Sequence, residues 1–371
     1  MRYSLRPNVL RMRPYSPGKP IDEVKRELGL TEVVKLASNE NPFGPSPRAI
    51  EAAQRAALTM NLYPDAAAHD LRAALADHLG LPPVQIAIGN GSDELIHLLG
   101  LVFLAGPEDA MIVGDPSFVR YDAAAQMADA QLVKVPLDAE LRHDVAAMAD
   151  AVTPATRLVW IANPNNPTGT IVRHDTVDRL IDRLPEGAAL VLDEAYYEYL
   201  DPAELATYPG ALDYVQAGAP VIGLRTFSKA YGMAGLRLGY CFAAPEVIDA
   251  IERAREPFNA NSLAQAAAIA ALADQDHLRA TVTKNREGLD RLREVFLAAG
   301  ARPVESHANF ILADLGRPAR PVFEALLARG VIVRPGDVLG LPTCLRVSVG
   351  TPDEVQRFAE AFGEVFQPAP A

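Results

Sequence analysis

The chain has 371 residues, enough for about two domains of ordinary size and for a substantial core. Hydrophobic residues make up 49% and charged residues 22%, which argues against disorder. With 35 Lys+Arg against 47 Asp+Glu the net charge is −12, so neither nucleic acid nor an anionic membrane is an expected partner.

The N-terminus comes first in the chain. Residues 1–20 carry five basic residues, no acidic ones and four prolines, and read as an extended arm without the apolar core of a secretory signal. Further on, short apolar runs at 84–88, 110–113, 131–135, 157–161, 189–192 and 220–224 read as buried strands. Helical patterns at 92–105, 117–128 and 175–184 lie between several of them. That alternation predicts α/β architecture: a mostly parallel sheet covered by helices on both faces. The longest apolar stretch, 95–106, is about half of what a spanning helix needs and is interrupted by His97.

After residue 245 the pattern changes. Two Ala/Leu-rich helical stretches (246–255 and 262–299) precede strands at 309–314, 331–334 and 344–349, with helices at 319–329 and 353–366. This predicts a smaller α+β domain. The expected division is an arm at 1–40 packing with the small domain and the active site, a large cofactor-binding domain at 41–250, and a small C-terminal domain at 251–371. Two cysteines, Cys241 and Cys344, cannot build a disulfide framework, so the expected compartment is the cytoplasm.

Four clusters carry chemistry, and three of them fall where a predicted strand ends, the place where open α/β sheets bind ligands. Asn163-Pro-Asn-Asn-Pro-Thr-Gly169 follows strand 157–161; alone, such a string is a turn. Asp193 closes the run ALVL, where a carboxylate is costly unless a cation or donors meet it. Lys229, in Thr226-Phe-Ser-Lys229, is hemmed in by apolar and small residues, which lower an amine's pKa and free it as a nucleophile. Arg237 follows eight residues later. The fourth cluster, Gly89-Asn-Gly-Ser92-Asp93-Glu94, stands between a strand and a helix and can bind an anion on backbone N–H groups. It has neither the dinucleotide nor the Walker spacing. The seven histidines are scattered without HxxxH, HxH or a nearby Cys pair, so no metal site is expected. Jointly the clusters ask for a ligand with a phosphate, an aldehyde that a lysine can trap, and a ring nitrogen kept protonated by a carboxylate. Pyridoxal 5′-phosphate meets all three needs.

PYSPGKP (14–20), KLASNENPFGPSP (35–47), NLYPD (61–65), GNGSDELI (89–96), NPNNPTGT (163–170), DEAYYEY (193–199), TFSKAYGMAGLRLGY (226–240) and CLRVSVGT (344–351) stand in the order of one family's motifs. By them the chain resembles the fold-type-I pyridoxal-phosphate aminotransferases, and within these the histidinol-phosphate aminotransferase family. The resemblance implies that Lys229 holds the cofactor as a Schiff base and then moves a proton. It implies that Asp193 pairs with the ring nitrogen, and that Asn166 and Tyr196 hydrogen-bond the ring oxygen. Ser228, Arg237 and the backbone of Ser92 and Asp93 would bind the phosphate. Tyr63 would reach that phosphate from a partner subunit, making a homodimer with shared sites. Phe118 falls where the family often has a stacked tyrosine; it keeps the stacking face and lacks the hydroxyl. The substrate's anionic end would meet Arg346, Arg334 and Tyr15, with Asn41 lining the site.

The expected reaction is transamination of L-histidinol phosphate with 2-oxoglutarate, giving imidazole-acetol phosphate and L-glutamate in histidine biosynthesis. A guanidinium accepts carboxylate as well as phosphate, so an aromatic amino acid aminotransferase is the alternative, and some activity on phenylalanine or tyrosine is expected. A phosphothreonine decarboxylase of similar fold finds no mark of carboxylate loss. A catalytically dead regulator fits poorly, because Lys229, Asp193, Asn166 and Arg237 are all present and no extra module is attached.

Overall fold

A computed structural model describes residues 3–12, 14 and 20–367. Seven strands form one sheet, in the order Ile86–Gly89, Gly239–Phe242, Val221–Thr226, Ala189–Asp193, Thr156–Ala162, Ala110–Asp115, Gln131–Pro136. The last five are mutually parallel, and only Gly239–Phe242 runs against its neighbours. Side chains alternate across the sheet as the pleat requires. Ile112, Val159, Ile161, Leu190 and Leu192 enter the core on one face, while Met111, Val113, Leu158, Trp160 and Val191 enter the core on the other. Helices cover both faces, as expected from the continuous apolar runs.

A second, antiparallel sheet has the order Arg334–Pro335, Cys344–Ser348, Phe310–Asp314, Arg302–Pro303. Helices Gln275–Ala298 and Pro352–Val365 pack on it through Phe296, Phe358 and Phe362, whose ring centroids lie 5.1–5.6 Å apart.

Four differences from the expected elements have a clear physical cause or consequence. Strand 84–88 begins only at Ile86, because Pro82 and Pro83 hold φ near the helical value and lack N–H donors, leaving a 3-10 turn at Pro83–Gln85. The single helix 262–299 is two, Ser262–Leu272 and Gln275–Ala298. Asp274 caps the second by accepting from the His277 backbone N–H. Strand 331–334 also splits: Val331–Ile332 pairs with Val34–Lys35, and Arg334–Pro335 pairs with Cys344–Ser348. Finally, the described start of the expected arm contains helix Pro7–Arg11. It docks on the C-terminal end of helix Arg120–Ala128, where Asn8 Nδ2 donates to the carbonyls of Gln126 and Met127 at 2.9 and 3.0 Å.

Helix Ser262–Leu272 packs against Pro47–Ala57 and His69–Leu79 and buries its alanines in the core of the seven-stranded sheet. Among the described residues no helix is long and apolar enough to cross a membrane.

Candidate active site

Parallel strands end on the same side, so the residues just past their carboxyl ends converge. Asp193 is the last residue of Ala189–Asp193, and Lys229 stands three residues beyond Val221–Thr226, the neighbouring strand. Asn163–Gly169 follows Thr156–Ala162 on the other side.

Asp193 is buried at 4% exposure, and two donors meet it: Tyr121 Oη at 2.6 Å on Oδ2 and the Ala195 N–H at 3.1 Å on Oδ1. Burial raises its carboxyl to about 6, against those two hydrogen bonds, which lower it. Lys229 is half-buried, its Nζ donating to the Asn39 carbonyl at 3.3 Å and lying 5.6 Å from the centre of the Tyr196 ring. Burial, then the Arg346 charge, lower this amine to about 8.

The glycine-rich turn meets Arg237 closely. A Cβ on Gly91, whose φ is +74°, would lie 2.6 Å from Arg237 Nη2, and one on Gly239 would lie 2.6 Å from the Ser92 backbone N. Helix Ser92–Phe103 opens there without a side-chain cap. The Asp93 carboxylate at this end is matched by Arg120 at 3.2 Å and Arg237 at 3.7 Å. Ser228 is buried nearby, its N–H and hydroxyl tied to Thr226 Oγ1. The arrangement is a positively charged, backbone-lined cradle suited to a phosphate.

On the opposite side Arg346, buried within Cys344–Ser348, donates to Asn166 Oδ1 and, at 2.9 Å, to the Ala37 carbonyl. Arg334 is its direct cross-strand partner, which puts both side chains on one face. Like charges opposite each other are destabilising, so the pair suits an anion between or beside them. Tyr196 is buried, edge-on to Phe310 at 5.4 Å, and its hydroxyl accepts from Asn39 Nδ2 at 3.0 Å. Burial raises this phenol, so it keeps its proton at neutral pH.

Other expected residues stand further out. Phe118 is half-buried and meets Tyr121 edge-to-face at 5.7 Å. Asn41 holds its own loop, donating to the Ala230 carbonyl at 2.9 Å and accepting from the Phe43 N–H. Tyr63 is 83% exposed and stacks on Phe258 at 4.7 Å. Tyr15 lies outside the described residues.

Sequence reasoning missed two residues. Tyr121 supplies one of the two donors on Asp193. Asn39 is a junction: its carbonyl accepts from Lys229 and Asn309, and its side chain joins Tyr196 to Ser348, all at φ +54°. An asparagine tolerates that left-handed conformation better than most residues. Its place in Asn39-Glu-Asn-Pro, beside the singled-out Asn41, was the available signal.

Comparison with known proteins agrees with this geometry. The pattern of the family described as aminotransferase class I and II matches residues 31–362. A histidinol-phosphate aminotransferase of Moorella thermoacetica is 49% identical over 96% of this chain and 92% of its own. One from a Geobacillus species is 45% identical over 95% and 96%. The crystal structure of the Sinorhizobium meliloti histidinol-phosphate aminotransferase, solved with pyridoxal 5′-phosphate, superposes with a TM-score of 0.88 at 33% identity, covering 98% of this chain and 97% of that one. The chain belongs to the class I and II aminotransferases, within their histidinol-phosphate aminotransferase family.

Proposed function

We propose that the protein transfers the amino group between L-histidinol phosphate and 2-oxoglutarate, forming imidazole-acetol phosphate and L-glutamate, with pyridoxal 5′-phosphate as cofactor. The carrying observation is the pair Lys229 and Asp193 at or just past the ends of adjacent strands, one an amine lowered to about 8 and the other a buried carboxylate. The substrate follows from the relatives, which share one activity across nearly the whole chain.

The donor set fits the cofactor. Pyridoxal 5′-phosphate, when bound, supplies an aldehyde that exchanges with the substrate amine and a protonated ring that draws electron density from the substrate Cα. Asp193, ionised at neutral pH, holds the ring nitrogen's proton. Tyr196 accepts from Asn39, so its own O–H remains to donate to the ring oxygen. Asn166 spends Oδ1 on Arg346 and keeps its amide N–H groups for the same oxygen. Ser228, Arg237 and the backbone N–H groups of Ser92 and Asp93 take the phosphate, and Phe118 offers its ring face. Lys229 Nζ, partly neutral near pH 8, carries the proton to and from the substrate Cα. Arg346 and Arg334, with Tyr15 and Asn41, receive the substrate's phosphate and in the second half-reaction a carboxylate of 2-oxoglutarate.

The same reading includes a cytoplasmic homodimer, in which Tyr63 crosses to the partner's phosphate site. Leu58, Met60 and Leu62 around it are exposed, an apolar strip suited to burial against a second copy. Free Cys241 and Cys344 suit a reducing compartment. The domain division at residues 40 and 250 belongs to this reading too, with helix Ser262–Leu272 counted in the large body on which it packs.

The test is glutamate formation by the purified chain with cofactor and 2-oxoglutarate. Histidinol phosphate is expected to sustain turnover at far lower concentration than phenylalanine or tyrosine. Faster turnover on phenylalanine would move the chain to the aromatic aminotransferases, and no glutamate from any of these amines would overturn the reading.

A further inference from the structure

Asp193 works as a partner for a cationic ring nitrogen only while it is ionised, yet its surroundings oppose ionisation. It is buried, and Asp93 and Glu194 add negative potential. The charged and titratable groups around it are Asp93 at the start of helix Ser92–Phe103, Glu194 paired at 2.8 Å with Arg225, Tyr196 and Tyr208 beyond the strand end, and Tyr121. Only Tyr121 and the Ala195 N–H donate hydrogen bonds to its carboxylate among the described contacts.

Tyr121 is built as a fixed donor. Its ring is buried between Trp160, stacked at 4.6 Å and 24°, and Phe118, edge-on at 5.7 Å and 84°. Burial and the adjacent Asp193 charge hold its phenol far above neutral, so it always has a proton to give. It binds Oδ2, while Ala195 binds Oδ1. A carboxylate has about four acceptor positions, so this leaves one on each oxygen and fixes the plane in which they point.

We propose that Tyr121 is a positioning residue: through its hydrogen bond it keeps Asp193 ionised and oriented toward the cofactor's ring nitrogen. The inference rests on the aminotransferase reading. A hydrogen bond to the ionised form lowers a carboxyl's pKa, so removing the hydroxyl raises that of Asp193 from about 6 toward neutrality.

The test uses pyridoxamine 5′-phosphate, which has no aldehyde and therefore binds without engaging Lys229 covalently. Its dissociation constant is measured by fluorescence between pH 5.5 and 8.5, with no turnover involved. In Tyr121→Phe, which keeps the stacked ring, weakening on acidification is expected to begin about one pH unit higher than in the native chain. Affinity is then about threefold weaker at pH 6.5, nearly tenfold weaker at pH 5.5, and converges with native at pH 8.5. Asp193→Asn is expected to remove the part of this pH dependence that Asp193 carries, and Tyr121→Phe to add nothing in that background. Should Tyr121→Phe not fold, 3-fluorotyrosine installed at position 121 alone, a stronger donor of the same shape, is expected to move the midpoint downward.

Curves that superimpose, or that differ by the same factor at every pH, overturn the inference while leaving the aminotransferase reading intact. A native chain that binds no pyridoxamine 5′-phosphate at any pH overturns both.

Discussion

Asp193 is costly where it stands. Its carboxyl titrates near 6 in the folded chain and near the ordinary 3.8 when unfolded, so between those values the folded form holds a proton that the unfolded form has released. Stability conferred at low pH is therefore lost as the pH rises through that window, and it is flat above it. Asp193→Asn should make the cofactor-free chain more stable at pH 7, by on the order of 2 kcal/mol in a urea titration, while weakening cofactor binding. A gain in stability with a loss of affinity marks a residue kept for function. Lys229→Ala should leave a folded chain that still binds the cofactor in its phosphate cradle, and should lower turnover at least a thousandfold, as followed by glutamate release; near-native turnover would mean another amine does the work. Either residue alone reads as an exposed strand end or a solvated amine; the two were legible in the sequence, at their strand ends, through their joint occurrence with the Asn/Pro/Gly string and the glycine-rich turn. Tyr121 and Asn39 were not, because a tyrosine in an amphipathic helix and an asparagine in a loop are ordinary, and the partners that give them meaning, Asp193 and Tyr196, lie 72 and 157 residues away.

At the scale of elements, the strands buried on both faces were readable from their apolar runs, since such a run has no other home. Gly239–Phe242 was missed: four residues following a loop motif are too few to show a period, and its antiparallel pairing with both neighbours is a tertiary event. The break at Asp274 was hidden because apolar spacing continues across it, and the signal was a cap in mid-pattern. The last helix shows what such local chemistry is worth. Thr351 and Glu354 form a reciprocal capping box at its start, with Pro352 in the first turn. Thr351→Ala should cost about 1 kcal/mol in chemical denaturation, leaving the cofactor's affinity unchanged. The helix packs on the antiparallel sheet through Val355, Phe358 and Phe362 rather than on the cofactor side.

At the scale of the molecule, the two sheets meet around a chain of polar contacts. Ser348 of the small sheet holds Asn39, which reaches Tyr196 and Lys229, and Arg346 reaches Asn166. The apolar strip around Leu58 and Tyr63 faces outward, and the proposed homodimer would cover it. On that proposal, Leu58→Glu should give a monomer in sedimentation at micromolar concentration, with turnover lost alongside because Tyr63 would no longer reach a partner. A variant that stays dimeric would place the interface elsewhere.

Helix Pro7–Arg11 has a reach beyond its five residues. Asn8 occupies the last carbonyls of helix Arg120–Ala128, and Arg11 pairs with Asp129 just past its end. The other end of that helix carries Tyr121. The opening residues thus act as a latch on a rod whose far tip leans on Asp193, and loosening the latch should let the rod breathe. With Asn8→Ala, amide hydrogen exchange at 125–130 should quicken severalfold. Part of that change should travel the length of the helix and register at Tyr121, so that the buried Asn8 side chain at one end of the helix sets how still the carboxylate at the other is held.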